Sequence, residues 1–190
     1  MEPSRRTLKS WWDEVAFRTL YRAHADAVFT FALRRLPASE AEDLVADVFL
    51  VAWRRRTEVP VDAGPWLLGV ARRLLANRRR GQKRADALLA RLTGEAIASG
   101  GGERRAGGDL DRPLIEALGS LSEADQELLL LAAWEGLARE GLASVLGISS
   151  GAVAGRLFRA RRRLARALAS REKDYGRGGR SAALEEVHDA

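Results

Sequence analysis

Between Gly94 and Gly108 the chain reads GEAIASGGGERRAGG, and this stretch constrains the fold more than any other. Glycine frees the backbone at each position it occupies, so a segment of this composition behaves as a flexible tether rather than a packed element. In a chain of 190 residues it leaves two flanking stretches, each long enough for one small domain. The boundaries read as 1–92 for the first domain, 93–110 for the linker, 111–171 for the second domain and 172–190 for a mobile C-terminal tail.

Both flanking stretches carry apolar residues at helical spacing and nothing reads as a strand, so the expected class is all-α, two small helical domains. In the first, Phe17, Leu20, Tyr21, Val28, Phe31 and Ala32 predict a helix to about Leu36, ended by Pro37. Ser10 is placed to cap its start at Trp11, with Asp13 and Glu14 in the first turn. Ser39 reads as the cap of a second helix with Glu40 and Glu42 at its start. Leu44, Val45, Val48, Phe49 and Ala52 form its buried stripe, and Asp43, Ala46, Asp47 and Leu50 turn toward solvent. Pro60, Gly64 and Pro65 punctuate a loop before a third helix, expected from about Trp66. On that helix Leu67, Val70, Ala71 and Leu74 share one face, while Arg72 and Arg79 form one row and Arg73 and Arg80 another on the far side. Seven of the thirteen residues from Arg72 to Arg84 are basic and none is acidic.

The second domain opens with a short apolar helix near Pro113–Leu118. Ser122, with Asp125 three residues on, predicts the cap of a helix running through Leu128–Trp134 to Gly136. A helix over Ala138–Leu146 meets the turn Gly147-Ile148-Ser149, and a last helix covers Ser150–Leu168 with Val153, Leu157, Ala160, Leu164 and Leu168 inward. Helix, glycine-containing turn and basic helix is the order of a helix-turn-helix. In the tail, Ser181–His188 is a further short helical candidate.

Charge separates along the chain in the same way. The net charge is +6, which favours a polyanionic partner. Residues 1–84 hold 17 basic against 10 acidic side chains and 112–171 hold 9 against 6, whereas 172–190 hold 3 against 5. Acid-free arginine clusters opposite apolar stripes point to phosphate contact at 72–80 and 156–166, which supplies salt-sensitive affinity and register. With no cysteine, disulfides and thiolate metal sites are excluded. No apolar run approaches the ~20 residues of a membrane span and no signal peptide opens the sequence, so membrane insertion is not expected and the location expected is cytoplasmic. No nucleophile–base pair, metal-ligand spacing or phosphate-binding glycine loop occurs, so neither enzymatic chemistry nor a metal or other cofactor is expected.

Taken together, AEDLVADVFLVAWRR, GPWLLGVARRLLANRRR, LSEADQELLLLAAWEGL and LGISSGAVAGRLFRARRRL resemble bacterial extracytoplasmic-function (ECF, group IV) sigma factors of RNA polymerase. The resemblance spans roughly 17–92 and 114–168, in the family's order and around its linker. It implies a subunit that binds core RNA polymerase and directs promoter-specific initiation, the polymerase performing the chemistry. Asp43, Ala46, Asp47 and Leu50 would then face the clamp helices of the largest polymerase subunit. Thr57, Asp62, Trp66, Arg72, Arg73, Asn77, Arg79 and Arg80 would read the minus-ten element, loop residues capturing a flipped base. Ser149, Ser150, Ala152, Ala154, Gly155, Arg156, Phe158, Arg159, Arg162 and Arg163 would read the minus-thirty-five element in the major groove, this domain seated near the beta flap. The linker would thread near the RNA exit path, and an anti-sigma factor is a further implied partner.

The sequence departs from the family's habit in places. Ala46 stands where glutamine is common, and Ala154 and Gly155 replace a basic and a polar or branched residue, which shifts base reading toward Phe158, Arg159 and Arg162. Ala138 lacks a capping hydroxyl and Gly141 interrupts the same helix, each costing about 1 kcal/mol. Trp66 is open to two readings, core or base-stacking, as is Asn77, which can bond DNA or local backbone. Trp53 and Trp134 read as core. Two rival functions remain: a stand-alone helix-turn-helix regulator, and a nuclease holding magnesium on Glu40, Glu42, Asp43 and Asp47. The acidic-leaning tail could fold back on a basic face.

Overall fold

The computed structural model describes residues 14–93 and 112–185. The Ser10 cap, the helix start at Trp11 and the linker 94–108 lie outside the described residues. Within them every regular element is a helix: α1 Glu14–Leu33, α2 Ala38–Arg54, α3 Ala63–Thr93, α4 Arg112–Gly119, α5 Glu123–Trp134, α6 Arg139–Leu146 and α7 Ser150–Glu185. The chain forms two compact units, one built on α1, α2 and α3, the other on α4, α5 and α7.

In the first unit all three helices pack on one another. α2 supplies the centre: Ala41, Leu44, Val45, Val48, Phe49 and Ala52 are all buried, recurring every three or four residues as one stripe. Val28, Phe31 and Ala32 of α1 meet it from one side, and Leu67, Val70, Ala71 and Leu75 of α3 complete the core. Phe17 stands edge-on to Phe49 at 6.2 Å and to Trp53 at 5.1 Å, and Tyr21 lies 4.6 Å from Phe49, so aromatic pairs close the α1–α2 seam.

Two expectations shift here. The residue flanking α2 is Pro37, extended at φ −58° and ψ 157° with no side-chain cap, so Ser39 falls within the first turn and caps nothing. Proline fits because its fixed φ starts the helix and an N–H at that position has no partner to lose. α3 begins at Ala63, three residues ahead of Trp66, because Pro65 in the first turn continues a helix without breaking a bond.

The second unit gathers Ala117, Leu128, Leu131, Leu142, Val153 and Ala160 as buried side chains. Ser122 caps α5 as expected, its hydroxyl accepting the Asp125 N–H at 3.2 Å. Gly136, φ +59°, follows α5 and lets the chain leave in the left-handed conformation. Gly147, φ +67°, does the same after α6, where the Ile148 N–H reaches the Ala143 carbonyl at 3.2 Å. Ser149 then starts α7, its hydroxyl accepting the Ala152 N–H at 3.3 Å. α7 continues to Glu185, well past the expected end at Leu168, and takes in most of the candidate helix Ser181–His188.

Candidate nucleic-acid and polymerase interfaces

On α2, the face opposite the buried stripe holds Asp43, Ala46 and Leu50, all exposed, with Leu50 at 45%. Asp47 shares that side but is half-buried, and its Oδ2 accepts a hydrogen bond from Arg78 Nη2 of α3 at 2.7 Å. The same guanidinium donates to the Glu40 carbonyl at 3.3 Å. Asp47 is therefore already engaged within the unit, which spacing along α2 alone did not reveal. Trp53, expected in the core, is 39% exposed. It follows Ala52 around the helix and falls on the rim of the stripe, where Phe17 covers one edge and Arg56 lies 5.6 Å from its ring. Trp134 is half-buried.

Between α2 and α3 the chain turns at 55–58, where Thr57 is exposed. Arg55 and Glu58 clasp each other across this turn, and the hydrogen bond from Arg55 holds the Glu58 carboxyl below its ordinary range. Val61 is fully exposed and Asp62 beside it is exposed too, immediately before α3. An apolar side chain so placed was not singled out by pattern, because isolated exposed apolar residues are common. Trp66 is half-buried, with the Arg55 guanidinium 5.9 Å from its ring, so neither of its two readings is removed.

Along α3, Arg73, Asn77, Arg79 and Arg80 are exposed and Arg72 is half-buried. The Asn77 side-chain oxygen accepts from Arg80 Nη2, a partner that neither expected use of Asn77 included. Leu75 is buried and Leu74 only half so, a small rotation of the expected face. Arg73, Arg79 and Arg80 thus stand on solvent, opposite a side packed on α2, with Arg72 at its margin.

On α7, Ser150, Ala154, Arg156, Phe158, Arg159 and Arg162 are exposed, Phe158 at 62%. Ala152 and Gly155 are half-buried, and Ser149, though exposed, spends its hydroxyl on the cap. An Arg162 guanidinium sits 5.6 Å from the Phe158 ring. Arg159 Nη1 lies 3.3 Å from where a side chain on Gly155 would begin, so the bare backbone there accommodates it. Arg163 pairs with Asp125 of α5, and Arg171 pairs with Glu116 of α4 at 2.7 Å. These two arginines tie α7 to its neighbours instead of pointing to a ligand.

Among the described residues no three His, Cys, Asp or Glu side chains come together as a metal would require. Glu40, Glu42, Asp43 and Asp47 are dispersed along α2, and Asp47 is paired with an arginine. No single described helix is long and apolar enough to cross a membrane.

The pattern of Sigma-70 region 2 matches residues 20–85 and that of Sigma-70 region 4 matches 111–164. The chain is 33% identical over 156 residues to the ECF RNA polymerase sigma factor SigL of Mycobacterium tuberculosis, covering 77% of this chain and 85% of that one. Among solved structures it is similar to the sigma factor RpoE in complex with the anti-sigma factor NepR from Bartonella quintana, with TM-score 0.58 and 26% identity over 80% of this chain and 96% of that one. It is also similar to CnrH in complex with the cytosolic domain of CnrY, with TM-score 0.54 and 26% identity over 84% of this chain and 91% of that one. With the region 2 pattern over the first unit's helices, the region 4 pattern over the helix-turn-helix and a relative of 33% identity covered over 85% of its length, the chain belongs to the ECF RNA polymerase sigma factors, which direct transcription initiation.

Proposed function

We propose that this group IV sigma factor docks on the clamp helices of core RNA polymerase through Asp43, Ala46 and Leu50. The turn bearing Thr57 and Asp62, with Trp66 and Arg72, Arg73, Asn77, Arg79 and Arg80, reads the minus-ten element. The exposed part of α7, from Ser150 through Ala152, Ala154, Gly155, Arg156, Phe158, Arg159 and Arg162, reads the minus-thirty-five element, its domain lying near the beta flap. Residues 1–92 and 111–171 act as separate DNA-reading domains on the tether 93–110. The chain works in the cytoplasm, catalyses nothing itself, and an anti-sigma factor masks it.

One observation carries this reading: the exposed acid-and-leucine face of α2 and the exposed Arg73, Arg79 and Arg80 of α3 belong to one compact unit with a shared core. A helix bearing carboxylates and a leucine fits a cationic, part-apolar protein partner, and the acid-free arginine rows fit phosphates. Two partners are thereby held at a fixed separation. The test is transcription in vitro by bacterial core polymerase supplied with this chain, on a library of random promoters. Specific starts with elements near minus ten and minus thirty-five are expected. Failure to bind core, or tight binding of intact duplex without core, would replace the reading with that of a stand-alone regulator.

A further inference from the structure

Among the described side chains of α3 the last buried one is Leu75, yet the basic residues Arg78 to Arg84 lie beyond it. The direction of that half of α3 therefore rests on contacts nearer the surface. Arg78 is the first basic residue past that edge and sits on the packed side, one turn on from Leu74 and Leu75, not in either arginine row. Its guanidinium straddles α2, Nη2 on the Asp47 carboxylate at 2.7 Å and Nη1 on the Glu40 carbonyl at 3.3 Å. Glu40 and Asp47 are two turns apart on one side of α2, so one planar fork grips that helix at two points along its length.

From this we infer that Asp47 and Arg78 are positioning residues: their ion pair sets the angle of the basic half of α3 against the docking face of α2, and Asp47 is not itself a polymerase contact. The inference rests on the proposed docking and minus-ten roles and reassigns one residue within them. The side chains are 48% and 34% exposed, so the pair is solvent-screened and its contribution to global stability is small. Its leverage is geometric. Arg79 and Arg80 follow Arg78 directly, so a tilt beyond the core displaces them while Arg72 and Arg73, which precede it, stay with the core.

The experiment uses the full-length chain as Asp47→Asn, Arg78→Gln, both together, and the charge exchange Asp47→Arg with Arg78→Asp. Three readouts are taken: urea unfolding, affinity for core polymerase, and the rate of promoter opening by the holoenzyme on a promoter selected with the wild-type chain. Unfolding is expected to show coupling between the two sites in the double-mutant cycle. Arg78→Gln is expected to leave core affinity unchanged and to slow opening about two- to fivefold, the factor matching an exposed pair. Asp47→Asn should match it, the double variant should add nothing, and the exchange should restore the rate. Loss of core affinity in Asp47→Asn but not in Arg78→Gln would make Asp47 a polymerase contact and overturn the inference. Absence of coupling in unfolding would overturn it as well, whatever the other readouts give. A wild-type chain that neither binds core nor opens promoters would instead overturn the proposed function, leaving the pair to be judged by its unfolding cycle.

Discussion

Phe158 offers a sharp separation of folding from recognition. Its ring is 62% exposed in α7, whereas the helix's attachment rests on Val153 and Ala160, both fully buried, and on Arg163 and Arg171. Phe158→Ala should therefore change stability by no more than about 0.5 kcal/mol. A phenylalanine has roughly 200 Å² to bury, and with 62% still available about 120 Å² can be covered by DNA; at ~25 cal/mol per Å² that sets a ceiling near 3 kcal/mol. Ordering the ring against Arg162 and incomplete coverage reduce this to about 1–2 kcal/mol, a five- to thirtyfold loss of affinity. The assay is fluorescence anisotropy of the holoenzyme on a duplex carrying its minus-thirty-five element, with thermal unfolding alongside. Apolar contact with a thymine methyl is the chemistry a phenyl ring offers in the major groove. Replacing each thymine by uracil should thus weaken the wild-type complex at one position and leave the Phe158→Ala complex indifferent there. Unchanged affinity, or a melting temperature lowered by many degrees, would refute the reasoning.

Three further outcomes follow from the same geometry. Leu44→Ala, at a fully buried site on the central helix of the first unit, should destabilise that unit by about 2–5 kcal/mol in urea unfolding. Gly147→Ala should cost about 1 kcal/mol or more in urea unfolding, because φ is +67° there and an L side chain is strained in that region; a neutral effect would deny the turn its left-handed residue. Arg79→Gln with Arg80→Gln, both exposed, should lower the salt slope of binding to minus-ten single strands by about 1.4, near 0.7 per phosphate, measured by titrating potassium chloride.

Much of this architecture was legible because helix period is written into one-dimensional order. The stripe Leu44, Val45, Val48, Phe49 and Ala52, the Ser122 cap and the glycine turn at 147 each depend on neighbours three to five residues away, a range that spacing reads directly. Ser39 failed as a cap because Ser, Asp and Asn are preferences, and Pro37, four residues after the end of α1, took that position instead. Trp53 failed as core because hydrophobicity does not say on which side of a stripe's rim a large ring lies.

By itself the sequence determined the helical class, the presence of two units and the arginines set against apolar stripes, since each is a matter of local composition and period. Only the tertiary structure decided which charges remain available. Asp47 meets Arg78 across 31 positions and Asp125 meets Arg163 across 38. Whether a carboxylate near the surface faces a partner or its own chain depends on how helices cross, and helix crossing is set by the whole interdigitated core rather than by any stretch of residues within it.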